Sequence, residues 1–139
     1  MTIRTSKAEW WGDLKEGKGT VSLGSGVYEG PYNFVSRFED GKETNPEELI
    51  GAALAGCYSM FLSAIMAKDG FIPTRVSTQA KVHLGDGPKV TLIELEVNAE
   101  VPQIEEAAFM VYAENAKKNC PISVALSAVE TKLNAKLNK

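Results

Sequence analysis

The sequence predicts an α+β protein whose 139 residues form one domain. Three observations lead there. Runs that alternate apolar and polar residues, broken by glycine turns, occupy both ends of the chain. Between them lies a stretch from Leu49 to Ala67 without a charged residue, opened by a strong helix start and closed by Gly70 and Pro73. A second helical pattern follows Pro102, and a last alternating run closes the chain.

In chain order, residues 1–38 read as a small antiparallel sheet. Its turns are marked by Gly12 after Trp10 and Trp11, by Gly17 and Gly19 around Lys18, and by Gly24 and Gly26 around Ser25. The third run puts Tyr32, Phe34, Ser36 and Phe38 on one strand face and Asn33, Val35 and Arg37 on the other. Asn45 then caps a helix of about 46–68. Pro46 suits its first position, and Glu48 is placed to complete an Asn-x-x-Glu capping box. This helix has nearly the length of a membrane span. Gly51, Gly56, Ser59, Ser63 and the many alanines make it only mildly apolar, so burial at the centre of a soluble protein is the preferred reading.

Two strands are expected over about 74–101. One alternates through Val76, Thr78, Ala80, Val82 and Leu84, the other through Ile93, Leu95, Val97, Ala99 and Val101, and Gly85-Asp86-Gly87-Pro88 joins them as a hairpin. Helices are expected over about 104–127. Ile104, Ala107, Ala108, Val111, Tyr112, Asn115 and Ala116 share one face of the first, and Cys120-Pro121 opens a shorter one. A closing strand of about 129–137 alternates Val129, Thr131, Leu133, Ala135 and Leu137.

Composition narrows the function. A 24% charged fraction and a formal net charge of −3 offer no concentrated positive field for nucleic acid or an anionic membrane. The first residues lack the apolar run of a secretory signal, so the expected location is the cytoplasm, with both cysteines as thiols. Cys57 and Cys120 are too far apart for a CxxC motif or a zinc knuckle, and the single histidine, His83, weakens a metal site further.

The cysteines could simply pack, since free cysteine is among the most buried residue types. Cys120 has the better local argument for reactivity, because a thiol at a helix N-terminus faces unpaired amides that favour the thiolate. Arg37 reads by default as a solvated strand residue, and Glu47 and Glu48 as acids that complement a helix N-terminus.

Four segments together carry more. Arg37-Phe38-Glu39, Thr44-Asn45-Pro46-Glu47-Glu48-Leu49-Ile50-Gly51-Ala52-Ala53, Cys57-Tyr58-Ser59-Met60 and Cys120-Pro121-Ile122-Ser123, in this order and spacing, resemble the OsmC branch of the OsmC/Ohr peroxidase family. The resemblance covers essentially the whole chain. It implies an OsmC-like fold, with antiparallel sheets around two central helices in an intertwined homodimer, and reduction of organic hydroperoxides and hydrogen peroxide. It further implies Cys57 as peroxidatic thiol, Cys120 as resolving thiol, and Arg37 and Glu47 as a catalytic pair. No bound cofactor or metal is implied, only an external dithiol reductant such as a lipoyl group. The Ohr branch places its arginine in the glycine-rich loop near the N-terminus, where this chain has Gly17-Lys18-Gly19. Gly56-Cys57-Tyr58 stands where many relatives have Ala-Cys-Phe, a mild change in pocket shape.

The chemistry sets magnitudes. Lowering a thiol pKa from about 8.5 to about 6 raises the thiolate fraction at pH 7 about thirty-fold, but lower basicity weakens the nucleophile about thirteen-fold. The net gain is about two-fold, so Arg37 is expected to act mainly by holding the peroxide oxygens and stabilising charge on the leaving oxygen. Glu47 would orient Arg37. Glu47 and Cys57 lie ten residues apart, about 15 Å along one helix, too far to share a site there. Two copies of the helix crossing antiparallel near Ala52 would bring each Glu47 level with the partner's Cys57. The competing reading is a non-catalytic dimeric protein on the same scaffold, holding an apolar ligand or serving structurally under stress.

Overall fold

The computed structural model describes residues 1–138. They form an α+β structure with two three-stranded sheets and four helices, in two compact units, Met1–Leu49 and a second that begins at Ile50.

In the first unit, β1 (Ser6–Trp11), β2 (Lys18–Leu23) and β3 (Glu29–Tyr32) pair antiparallel in the order β1-β2-β3. Gly19 is the residue this sheet needs at its centre. A Cβ there would stand 2.6 Å from both the Trp10 and the Tyr32 rings, which pack with centroids 5.3 Å apart.

The strand expected through residue 38 is corrected. β3 stops at Tyr32, and Phe34–Phe38 forms a short helix, α1. Asn33 caps it: its side chain accepts from the Ser36 amide at 2.8 Å, and the Ser36 hydroxyl accepts from the Asn33 amide at 3.0 Å. This reciprocal cap satisfies two amides that a strand would have needed to pair elsewhere. The aromatic pattern misled because positions 34 and 38 share a face in a helix as well as in a strand. Their rings pack at 4.9 Å. Arg37 therefore sits in the last turn of a helix.

The long helix α2 (Pro46–Lys68) starts where Asn45 Oδ1 accepts the Glu48 amide at 2.7 Å. Glu48 does not close the expected capping box; its carboxylate accepts the Thr44 hydroxyl at 2.9 Å instead. Along the part of α2 in the second unit, Leu54, Tyr58, Leu62 and Met66 recur every fourth residue and are fully buried. The opposite stripe, Ala52, Gly56, Met60 and Ala64, is exposed. The helix is long and apolar enough to cross a membrane, and only 28% of its most apolar stretch is buried within the chain. The burial expected of this helix is thus partial in one chain.

In the second unit, β4 (Arg75–Gly85) and β5 (Lys89–Glu100) form an antiparallel hairpin, and β6 (Glu130–Asn138) lies beside β5 in parallel. The sheet is mixed, which corrects the expectation of wholly antiparallel sheets. The chain leaves β5, runs through α3 (Glu106–Asn119) and α4 (Pro121–Ala125), and returns in the same direction. A crossover of that length permits a parallel neighbour, whereas a tight turn does not. Ile93, Leu95, Val97 and Ala99 face the core with Phe109, Ala113, Ala116 and Cys120. The buried face of α3 is rotated from the expected one, because Phe109 supplies the largest apolar surface and Val111 is left 71% exposed.

Candidate active site

The structure brings the four candidate residues together as two pairs, Arg37 with Glu47 in the first unit and Cys57 with Cys120 in the second.

Arg37 leaves α1 at its last turn and meets Glu47 near the start of α2. The contact is bidentate: Nε and Nη2 donate to Oε1 and Oε2, each at 3.1 Å. Glu47 is nearly buried, with 10% of its side chain exposed, while Arg37 retains 35%. A fork pairing of this kind fixes the plane of the guanidinium as well as its position. Two of its five N–H donors are used, so three remain. The Phe38 ring lies 5.2 Å from the guanidinium carbon. Beside it, Trp10, Leu14, Tyr32, Phe34, Phe38 and Arg37 line a pocket of about 230 Å³. The α1 cap is anchored in turn, since the Ser36 hydroxyl donates to the Thr44 carbonyl at 2.8 Å and Asn45 Nδ2 donates to the Ser36 carbonyl at 2.9 Å.

Cys57 lies mid-helix in α2 and is partly exposed, while Cys120 is fully buried. Both are free thiols. Burial pushes the Cys57 pKa up from the ordinary thiol value; the Ile122 backbone amide pulls it down, and the neighbouring Cys120 thiol pushes it further up. Cys120 is the N-cap of α4, with Pro121 at the first helical position. Its sulfur accepts the Ser123 amide at 3.4 Å and stands 3.0 Å from the Ser123 hydroxyl. Tyr58, next to Cys57, donates its buried hydroxyl to the Ala113 carbonyl at 2.9 Å. That bond ties α2 to the helix that delivers Cys120.

Sequence reasoning had not given Ser123 or the Ile122 amide a role. The signal was present in Cys120-Pro121-Ile122-Ser123, where a cap residue is followed three positions later by a hydroxyl. His83 pairs with Glu94 at 2.7 Å on an exposed sheet face, and this contact lowers the Glu94 pKa. Among the described residues, no group of three His, Cys, Asp or Glu side chains is arranged to hold a metal ion.

A pH prediction follows from the cysteine pair. An acid whose pKa is raised stays protonated over a wider range, so Cys57 in the intact pair forms thiolate only at higher pH than an ordinary thiol. Cys120→Ala removes one of the raising causes and is expected to move the Cys57 midpoint down. Alkylation rates against pH, read by mass spectrometry, check this, and an unchanged or higher midpoint contradicts it.

A family model described as OsmC-like protein matches residues 39–134. The chain is 47% identical over 133 residues to Peroxiredoxin OsmC of Escherichia coli (strain K12), covering 92% of this chain and 93% of that one. It is 33% identical over 86 residues, 61% of each chain, to an organic hydroperoxide resistance protein of Xanthomonas axonopodis pv. citri (strain 306). The crystal structure of an OsmC-like protein from Mycoplasma pneumoniae superimposes with a TM-score of 0.76 over 99% of both chains. At 14% identity that likeness bears on the fold alone. The chain belongs to the OsmC-like protein family.

Proposed function

We propose that this chain is a thiol-dependent peroxidase that reduces organic hydroperoxides and hydrogen peroxide with Cys57 as nucleophile and Cys120 as resolving thiol. The observation that carries the reading is the pairing of the two thiols, one partly exposed and one buried, in a single unit. The names of the similar proteins, a peroxiredoxin and an organic hydroperoxide resistance protein, support the same chemistry.

The Cys57 thiolate attacks one peroxide oxygen, the O–O bond breaks, and the other oxygen leaves as an alcohol, or water, after taking a proton. Cys57 is then a sulfenic acid. Cys120 attacks that sulfur, water departs, and a disulfide forms. An external dithiol such as a lipoyl group returns both cysteines to thiols. Arg37, clamped by Glu47, presents its remaining donors to the peroxide oxygens and stabilises the leaving oxygen. The aromatic pocket beside Arg37 suits an apolar peroxide substituent. No step needs a metal or bound cofactor. A non-catalytic binding protein on this scaffold would instead leave both thiols unchanged by peroxide, so peroxide consumption with a dithiol reductant tests the reading.

The functional form in this reading is a homodimer, each copy a single domain of residues 1–139, with two α2 helices crossing antiparallel near Ala52. The exposed stripe of Ala52, Gly56, Met60 and Ala64 on α2 supports it, as does the open space around Gly56, where nothing beyond the helix's own adjacent backbone would lie within 4 Å of an added Cβ. An apolar helix so little covered within one chain also calls for a partner surface. Glu47 of one copy then stands level with Cys57 of the other, and two equivalent sites form at once.

Arg37→Lys keeps the charge and loses the bidentate fork. It is expected to reduce kcat/KM for an organic hydroperoxide by about 10²-fold, the scale of losing an oriented donor at a developing anion. Near-normal steady-state turnover would show that charge alone suffices.

A further inference from the structure

We infer that Ser123 is a positioning residue for the reductive half of the cycle: it makes Cys120 the leaving group, so that an incoming dithiol breaks the disulfide by attack on Cys57. The inference rests on the two-cysteine reading and extends it to the step that regenerates the enzyme.

The geometry has three parts. Cys57 is partly exposed and Cys120 is fully buried, so a thiolate arriving from solvent reaches the Cys57 sulfur. Ser123 offers the Cys120 sulfur two donors, its backbone amide at 3.4 Å and its hydroxyl at 3.0 Å. Either sulfur or oxygen can donate in the Cys120–Ser123 hydroxyl contact while Cys120 carries its proton. Once Cys120 is a thiolate, only the Ser123 hydroxyl has a proton to give. The nearby Tyr58 hydroxyl is already committed to the Ala113 carbonyl at 2.9 Å and does not compete for the role.

The step balances without a further reactant. A dithiol R(SH)2, as its monothiolate, attacks the Cys57 sulfur, a new Cys57–S–S–R bond forms, and the Cys57–Cys120 bond breaks with its electron pair going to Cys120. The second thiol of R gives its proton to the Cys120 thiolate through solvent, closes its own ring disulfide and expels Cys57 as thiolate. Exchange is faster when the departing sulfur is the better stabilised thiolate. The opposite direction would require the attacking thiolate to reach the fully buried Cys120 sulfur and would expel Cys57, which lacks the two Ser123 donors.

The test prepares the disulfide with diamide, so it does not depend on peroxidase activity, and measures its reduction by dithiothreitol. Ser123→Ala is expected to slow that reduction about three- to ten-fold, while Ser123→Thr, which keeps a hydroxyl, restores the rate. A bulky monothiol should be found by peptide mass on Cys57 and not on Cys120. Reduction of the Ser123→Ala disulfide at the unaltered rate overturns the inference, as does a monothiol adduct on Cys120 or a Ser123→Thr protein as slow as Ser123→Ala. Failure of peroxide to oxidise a protein that diamide does crosslink would sink the peroxidase reading and leave the Ser123 result standing; a protein that diamide cannot crosslink sinks both.

Discussion

Replacing Cys57 by serine is expected to reduce hydroperoxide turnover to the level of buffer, because a hydroxyl in place of the thiol supplies neither the thiolate nor the sulfenic acid on which the cycle depends. The unaltered protein, given one equivalent of an organic hydroperoxide, should lose about two daltons as a disulfide closes between Cys57 and Cys120. Cys120→Ser separates the two roles. It should react once with peroxide and then gain oxygen as sulfenic or higher acids, since the buried neighbour that would condense with Cys57 is gone. Intact mass and peroxide consumption, followed on the same samples, check the series. Sustained turnover by Cys57→Ser would mean that the wrong sulfur has been assigned.

The second large effect is a rescue. Glu47→Ala and Cys57→Ser should each be nearly inactive alone, the first because Arg37 loses its bidentate partner and the second because the nucleophile is absent. Co-expressed and allowed to assort, they should regain activity if each site takes Glu47 from one chain and Cys57 from the other. In a mixed dimer one site carries both defects and the other carries neither. With random assortment half of the dimers are mixed, so about a quarter of the unaltered activity is expected. A site completed within one chain predicts no recovery, since neither chain then holds an intact set. Two differently tagged chains, purified through both tags, isolate the mixed dimer and raise the expected recovery to about half.

The sequence by itself determined the elements whose signals are local. Asn45 and Pro46 start α2, Gly70 closes it, and Cys120 before Pro121 marks the head of α4, because caps and prolines act on amides within one turn. It also carried enough ordered segments to point to the family that the comparisons show. Local patterns became ambiguous where two periods coincide: Phe34 and Phe38 satisfy a strand and a helix equally, and only the Asn33–Ser36 cap separates the two.

Tertiary structure alone decided the rest. The parallel pairing of β6 with β5 follows from the crossover through α3 and α4, and the rotation of α3 follows from burying Phe109. The nearness of Cys57 to Cys120, and the two donors that Ser123 turns toward the latter, arise because α2 and α3 pack into one core with Cys120, the Tyr58 bond to Ala113 tying α2 to the helix that leads into Cys120. Capping and periodicity reach a few residues along the chain, whereas these contacts join residues distant in sequence through burial of shared apolar surface. Such surface favours contact without naming its partner, and the partner is settled only when the whole core packs.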